Sequence, residues 1–206
     1  RMDEWVSYKV LLNQDDEIKA DVVVVVADAS NLKRNLLFCT QIIDLKVPVV
    51  IALTMMDMAK RKGIKIDTDA LERELGVPVV PVSPRKNKGI DGLKKAIEQT
   101  AQNLYKSPAR DFVNNKSLAP AAIEDIQNAF PSLSDYTAIH YLINHESFDL
   151  PKNEQETIEK VEEKNNFNPT KTQAEEILMR YGRIKHIMQQ AVSEPDPLQK
   201  KIFTER

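Results

Sequence analysis

Residues 22–57 read VVVVVADASNLKRNLLFCTQIIDLKVPVVIALTMMD, with two continuous apolar runs that each lead into a polar cluster. A β-branched run without polar alternation is typical of a strand that is covered on both faces of a parallel sheet. Between the two runs, residues 31–45 carry apolar side chains at helical spacing. We therefore predict strand, helix, strand, with both polar clusters at one edge of the sheet. In open parallel sheets, that edge is where ligands bind.

The same alternation continues to about residue 106. Strands are predicted over residues 22–27, 48–53 and 77–82, and helices over residues 4–12, 31–45, 69–75 and 90–104. Asp69 and Glu72 give the third of these helices a carboxylate-led start, and Gly76 ends it. Strands that alternate with helices indicate a parallel α/β sheet.

The pattern changes near residues 107–108, beyond which we find no strand signal. Helices are predicted over residues 121–129, 135–144, 154–164 and 171–192. The last helix has an apolar stripe that includes Ile177, Leu178 and Ile184, and a capping-box start at Thr170 and Gln173. We predict an α/β domain over residues 1–106, an all-helical domain over 107–194 and a linker over 195–206.

The composition excludes several classes of protein. The chain of 206 residues is 42% hydrophobic and 29% charged, with a net charge of -2, so no nucleic-acid partner is expected. A single cysteine, Cys39, excludes an internal disulfide and fits a reducing compartment. No apolar run reaches the roughly 18 residues of a membrane helix, and no signal peptide is evident. Because the chain begins at Arg1 rather than Met, we expect a fragment of a longer protein.

Three polar clusters follow the predicted strands, at residues 28–31, 54–57 and 83–85. Of these residues, Asp57 is the strongest candidate for recognising a guanine base. Guanine presents its N1–H and exocyclic amine as adjacent donors, and one carboxylate can accept both. Adenine lacks this pair, so a single Asp can discriminate between the bases. A backbone N–H in residues 83–85 is placed to donate to guanine O6. An Asp after a buried strand is also commonly a helix N-cap, so the prediction depends on all three clusters together.

The order of motifs resembles the cytosolic GTPase domain of the FeoB family, ferrous iron transport protein B. These motifs are DASNLKRN at residues 28–35, TMMD at 54–57, GVPVVPVS at 76–83 and KGIDGL at 88–93. The resemblance covers residues 3–106, and residues 108–206 are similar to the helical domain that follows in this family. It implies α/β plus all-α architecture, with the C-terminal part of a P-loop GTPase-type parallel sheet in residues 1–106.

The resemblance also implies a site, ligands and partners. GTP or GDP is the expected ligand, with Mg²⁺ in the parent protein, which would be a GTPase that regulates ferrous iron uptake. The expected partner is the protein's own C-terminal transmembrane iron-transport domain, at the cytoplasmic face of the bacterial inner membrane; a homo-oligomer is a further expectation. The guanine-binding residues implied by the resemblance are Thr54, Met55, Asp57, Ser83, Pro84 and Arg85.

Two residues depart from the family pattern. Thr54 replaces the usual Asn, and because a hydroxyl forms fewer hydrogen bonds than an amide, we expect weaker nucleotide binding than is typical of the family. Pro84 replaces the commoner Ala and removes a backbone N–H that would otherwise face guanine O6. Guanine specificity is therefore expected to rest largely on Asp57.

The phosphate-binding half of a GTPase site is not in this sequence. There is no G-x-x-x-x-G-K-[ST] motif, no magnesium-binding threonine region and no D-x-x-G loop. Because phosphoryl transfer needs those groups, we expect no catalytic residue and no metal ligand in this chain, and no GTP hydrolysis by it alone. The strand at residues 22–26 would then have an open apolar edge, which we expect missing sequence or another chain to cover.

Two other functions are compatible with these patterns. One is a non-catalytic helical interaction or oligomerisation module on a degenerate GTPase scaffold, which Thr54 and Pro84 slightly favour. The other is a GTPase of ribosome assembly, against which the low basic charge argues. His140, His145 and His186 show no spacing typical of metal ligands.

Overall fold

The structure is a computed structural model that describes residues 11, 20–104, 108–148 and 150–194. The chain divides into two compact units. The α/β unit takes in the described residues between 20 and 109 and those from 182 onwards, and the helical unit takes in those between 110 and 181. The predicted helix over residues 4–12, apart from Leu11, and the predicted linker over 195–206 lie outside the described residues.

The α/β unit contains a parallel sheet of three strands in the order β1 (Val23–Asp28), β2 (Val49–Thr54) and β4 (Val79–Pro81). The central strand β2 is covered on both faces, since all residues from Val49 to Leu53 are at most 2% exposed. The predicted alternation of these strands with helices is confirmed, but the short helix Met56–Arg61 was not predicted. Two further strands among the described residues are β3 (Lys65–Ile66) and β5 (Val192–Ser193). The helices of this unit are α1 (Leu32–Asp44), α2 (Met56–Arg61), α3 (Thr68–Leu75) and α4 (Ile90–Ala101).

Strand β1 is covered on one face only, contrary to the prediction for residues 22–27. Val25 and Ala27 are buried, whereas Val24 is 36% and Val26 is 66% exposed. Along one edge β1 pairs with β2, and no described strand pairs with its other edge. A continuous valine run is compatible with burial on both faces of a strand. Whether both faces are buried depends on neighbouring segments that are distant in sequence.

Two short strands were not predicted from the sequence. β3 and β5 form an antiparallel pair in which Lys65 faces Ser193 and Ile66 faces Val192. The backbone N–H of Asp67 adds a hydrogen bond of 2.8 Å to the carbonyl of Ala191. A strand of two residues is too short to show a period, and the pairing joins segments that are far apart in sequence.

The helical unit packs its helices around an aliphatic core. Ile123, Ile126, Ile139, Leu142 and Ile158 are fully buried in it. Its helices are α5 (Pro120–Ala129), α6 (Asp135–Asn144), α7 (Lys152–Asn165) and α8 (Pro169–Ala191), the last of which continues into the α/β unit. None of the described helices combines the length and the hydropathy that a crossing of the bilayer requires.

Two helices begin at a different residue from the one predicted. Helix α3 is capped by Asp67 rather than by Asp69, because the Asp67 carboxylate accepts the N–H of Ala70 at 2.9 Å. At the start of α8 the Asn168 side chain accepts the N–H of Lys171 at 2.9 Å, in place of the predicted capping box. Both helices start one or two residues before the predicted residue, so the capping position moves with them.

The first half of α8 buries a different side from the predicted apolar stripe, whereas Ile184 of that stripe is buried as predicted. Leu178 is 70% exposed, whereas Thr172, Glu176 and Arg180, which follow one another at intervals of four, are buried. Nε of Arg180 donates to Oε1 of Glu176 at 2.8 Å. The Arg180 guanidinium lies 5.3 Å from the centre of the Tyr136 ring. Hydropathy assigns such residues to solvent, but an i,i+4 ion pair against an aromatic ring can be buried when its charges are paired.

His140 lies beside this ion pair and is packed against Tyr136, with 4.4 Å between the ring centres. Burial, followed by the nearby positive charge of Arg180, lowers the pKa of His140 from its ordinary value to about 4. His140 is therefore neutral at physiological pH and forms part of the packed interior of the helical unit.

Candidate functional site

The polar cluster after β1 holds its own turn together. The Asp28 carboxylate accepts the N–H of Ser30 at 2.7 Å, and the side-chain oxygen of Asn35 accepts the N–H of Asp28 at 3.2 Å. The amide nitrogen of Asn35 donates to the carbonyl of Asn31 at 2.9 Å. These hydrogen bonds stabilise the turn that connects β1 to α1. The DASNLKRN motif therefore has a structural role.

Thr54 ends β2 and connects it to the neighbouring strand. It is half-buried, and its hydroxyl donates to the carbonyl of Ala27 in β1 at 3.0 Å. The hydroxyl proton is therefore used within the protein.

Met55 makes the turn that places Asp57. Its φ of 58° lies in the left-handed region, which is uncommon for a residue with a large side chain, and 45% of its surface is exposed. Helix α2 begins directly after it, so Asp57 lies in the first turn of that helix. The Asp57 side chain is exposed, and it bonds to no residue that the structure describes.

The loop after β4 is closed by two backbone hydrogen bonds. Ser83 donates to the carbonyl of Lys88 at 2.9 Å, and Lys88 donates back to Ser83 at 3.2 Å. Gly89 follows with φ of 80°, and a Cβ there would lie 2.1 Å from the carbonyl oxygen of Pro81. Only glycine fits this position without movement of the backbone.

Within this loop, one backbone donor is left over. Lys86 donates to the carbonyl of Ser83 at 3.0 Å, and Asn87 donates to that of Pro84 at 3.1 Å. Pro84 has no N–H, and the N–H of Arg85 has no acceptor among the described residues. The sequence could not single out this donor, because it depends on the 3-10 turn at Pro84–Lys86.

The strand register puts these groups at one edge of the sheet. Asp28 lies beside Thr54, and Leu53 lies beside Pro81, so β1, β2 and β4 end together. Neighbouring strands therefore carry the TMMD turn and the loop that holds Ser83, Pro84 and Arg85. No three His, Cys, Asp or Glu side chains converge as a metal site in the ranges that the structure describes.

The arrangement can accept two adjacent donors at Asp57 and donate one hydrogen bond from Arg85. Met55 adds an exposed apolar side chain between the end of β2 and α2. Those are the contacts that a flat heterocycle with a donor pair and a carbonyl requires.

Comparison with known proteins identifies relatives of this chain. The sequence pattern of FeoB_N, ferrous iron transport protein B, matches residues 1–97. The Fe(2+) transporter FeoB of Salmonella typhimurium is 40% identical over 102 residues, and that of Escherichia coli K12 is 39% identical over the same length. Each match spans 50% of this chain and only 13% of the transporter.

Solved structures extend the similarity to both units. A GDP-bound mutant of the S. thermophilus FeoB G-domain is 31% identical, with a TM-score of 0.69 over 91% of this chain and 74% of that one. The cytosolic domain of T. maritima FeoB in its GMPPNP form shares the fold, with a TM-score of 0.72 and 24% identity over 94% of this chain and 75% of that one. The predicted resemblance is thereby confirmed, and the chain belongs to the FeoB family of ferrous iron transport proteins, whose cytosolic GTPase domain it resembles in fold.

Proposed function

We propose that the α/β unit recognises the guanine base of GTP or GDP. In this proposal the Asp57 carboxylate accepts the N1–H and the exocyclic amine, and the N–H of Arg85 donates to O6. The observation that carries the proposal is the exposed Asp57 side chain, which bonds to no described residue and follows the carboxyl end of a central parallel strand. The GDP-bound S. thermophilus relative supports the same ligand class.

The other predicted residues take supporting roles in this proposal. Met55 covers one face of the base. Thr54 holds the end of β2 through its bond to Ala27, and Ser83 and Pro84 shape the loop that presents Arg85. Because the Thr54 hydroxyl already donates to Ala27, its oxygen has only acceptor capacity left for the ligand or a phosphate loop.

Replacing Asp57 by asparagine tests the proposal. In the complete cytosolic region that contains this chain, we expect D57N to weaken GDP binding by about 10- to 100-fold, because the negative charge is lost and the asparagine NH₂ cannot accept from the exocyclic amine. Xanthosine diphosphate should gain affinity, since xanthine has a carbonyl where guanine has its amine, and the asparagine amide can donate to it. Titration calorimetry with both nucleotides and with ADP measures this exchange.

The matched control is D69N, which changes an exposed carboxylate in the first turn of α3. It should leave GDP and ADP binding as in the wild type. Equal GDP affinity in D57N and wild type would contradict the role of Asp57. Absence of GDP binding by the wild-type region would favour the alternative function, a non-catalytic helical interaction module.

Thr54 gives a second prediction. Replacing it by asparagine should raise GDP affinity by up to about tenfold, because the longer amide keeps a donor for the ligand side after bonding to the strand. The same titration compares T54N with T54S, which retains only the hydroxyl. An affinity for T54N no higher than that of the wild type would show that Thr54 does not limit binding.

At the level of the whole protein, we propose that GTP binding and hydrolysis are coupled to Fe²⁺ uptake through the protein's own transmembrane domain. Hydrolysis and Mg²⁺ binding would depend on motifs that this sequence lacks. The site would lie at the cytoplasmic face of the bacterial inner membrane, and a homo-oligomer would be one route of coupling. We also propose that residues 1–106 form the partial GTPase domain, residues 107–194 the helical domain and residues 195–206 a linker toward the transmembrane domain.

A further inference from the structure

A cavity of about 290 Å³ lies in the helical unit, among the first turn of α5, the turn between α7 and α8, and the first turns of α8. Its size is at the low end for ligand pockets and suits a small ion better than a nucleotide. It involves none of the residues proposed to bind guanine.

The first turn of α5 presents unused backbone donors to this cavity. Ala119 precedes the helix and has no side chain that could cap it, and Pro120 at the first position has no N–H. Ala121 and Ala122 both line the cavity, and their backbone N–H groups donate to no carbonyl or side chain among the described residues. Such uncapped N–H groups, together with the helix dipole, favour an anion.

Thr172, in another of the lining helices, supplies an independent observation. It lines the cavity and is only 6% exposed, yet its hydroxyl makes no hydrogen bond with any residue that the structure describes. A threonine hydroxyl in a helix often donates to a carbonyl of the preceding turn, which this one does not. Because Thr172 lines the cavity, its hydroxyl can donate to a ligand that enters there.

Two charged side chains, Lys171 and Glu175, also line the cavity. Lys171 lies next to Thr172, and its Nζ is 3.9 Å from the Glu175 carboxylate, in a pair that is largely exposed. Exposed pairs of this kind are weak, so an entering anion can compete with Glu175 for the ammonium group. Glu175 itself opposes an anion, which predicts that removal of its charge strengthens binding.

We propose that this cavity is a binding site for a small oxyanion of the phosphate type. Ala121 and Ala122 would donate their N–H groups, Thr172 would donate its hydroxyl, and Lys171 would supply the positive charge. Phosphate offers enough acceptor oxygens to satisfy these donors together. Free inorganic phosphate is the probe for this site.

The test is a phosphate titration of the 206-residue chain followed by backbone amide NMR, with sodium chloride at the same ionic strength as reference. We expect saturable shifts at Ala121, Ala122 and Thr172. T172V should weaken binding about tenfold, since it removes one hydrogen bond to a charged group and keeps the shape. T172S should restore binding, K171Q should weaken it and E175Q should strengthen it.

The matched control is T170V, which changes an exposed threonine two positions earlier, outside the cavity lining. It should bind phosphate as the wild type does. Shifts no larger than those with chloride, or equal affinities for T172V, T170V and wild type, would overturn the proposal. The amide spectrum of each variant also shows directly whether it is folded.

Discussion

Replacing Arg180 by methionine is expected to lower the free energy of unfolding by about 3–5 kcal/mol, because it leaves the buried Glu176 carboxylate without its partner. Arg180 is fully buried and Glu176 is 3% exposed, and both Nε and Nη2 of the arginine contact Oε1 of the glutamate. The guanidinium also packs on the rings of Tyr136 and Phe112, and methionine replaces only part of that contact. Urea denaturation monitored by circular dichroism measures the change.

A double mutant separates the ion pair from the packing. If the loss arises from an uncompensated charge, R180M with E176M should be more stable than R180M alone, since no charge then remains unpaired. The control is E156Q, which breaks the exposed pair between Lys152 and Glu156 and should change stability by less than about 0.5 kcal/mol. A loss below 1 kcal/mol for R180M, or a double mutant less stable than R180M, would contradict this account.

Replacing Gly89 by alanine should destabilise the α/β unit by about 3 kcal/mol. Its φ of 80° puts a side chain in the left-handed region, which costs about 1–2 kcal/mol. The added Cβ would lie 2.1 Å from the carbonyl oxygen of Pro81, and overpacking of that kind costs about 1–3 kcal/mol more. Because the clash is with backbone, relief must move either β4 or the loop that carries Arg85.

Two readouts therefore follow from G89A. The midpoint of thermal unfolding should fall, and the GDP affinity of the complete cytosolic region should fall with it, since the displaced loop presents Arg85. The control is G182A, at a glycine within α8 where an added Cβ meets no atom within 4 Å. That variant should be as stable as the wild type or more stable by up to about 1 kcal/mol, because alanine favours the helix. Equal stability of G89A and wild type would refute the predicted clash.

The predictions from sequence succeeded where the signal was local. The order of strands and helices follows from apolar spacing within single segments, and helix α6 begins and ends at its predicted residues. They failed where burial depends on distant partners. Val24 and Val26 are exposed although they belong to an apolar run, and Leu178 is exposed while Arg180 is buried.

The candidate site also depends on local and on distant signals. The role of Asp57 stays a prediction, which the sequence makes because its position after a buried strand can be identified there. The left-handed turn at Met55 and the free N–H of Arg85 were not predicted, since each depends on backbone torsions that residue types alone do not fix. The Thr54 hydroxyl bonds to Ala27, which lies 27 positions away along the chain and beside it in the sheet.

By itself, the sequence determined the order of the elements, the parallel α/β and helical classes and the motifs of the FeoB family. These are properties of short segments, and hydrophobic periodicity and turn residues encode them. The tertiary structure decided which donors and charges remain available, from Arg85 at the sheet edge to Thr172 in the helical unit. A polar group becomes available or satisfied only when the chain has folded, because its partners come from segments that packing brings together.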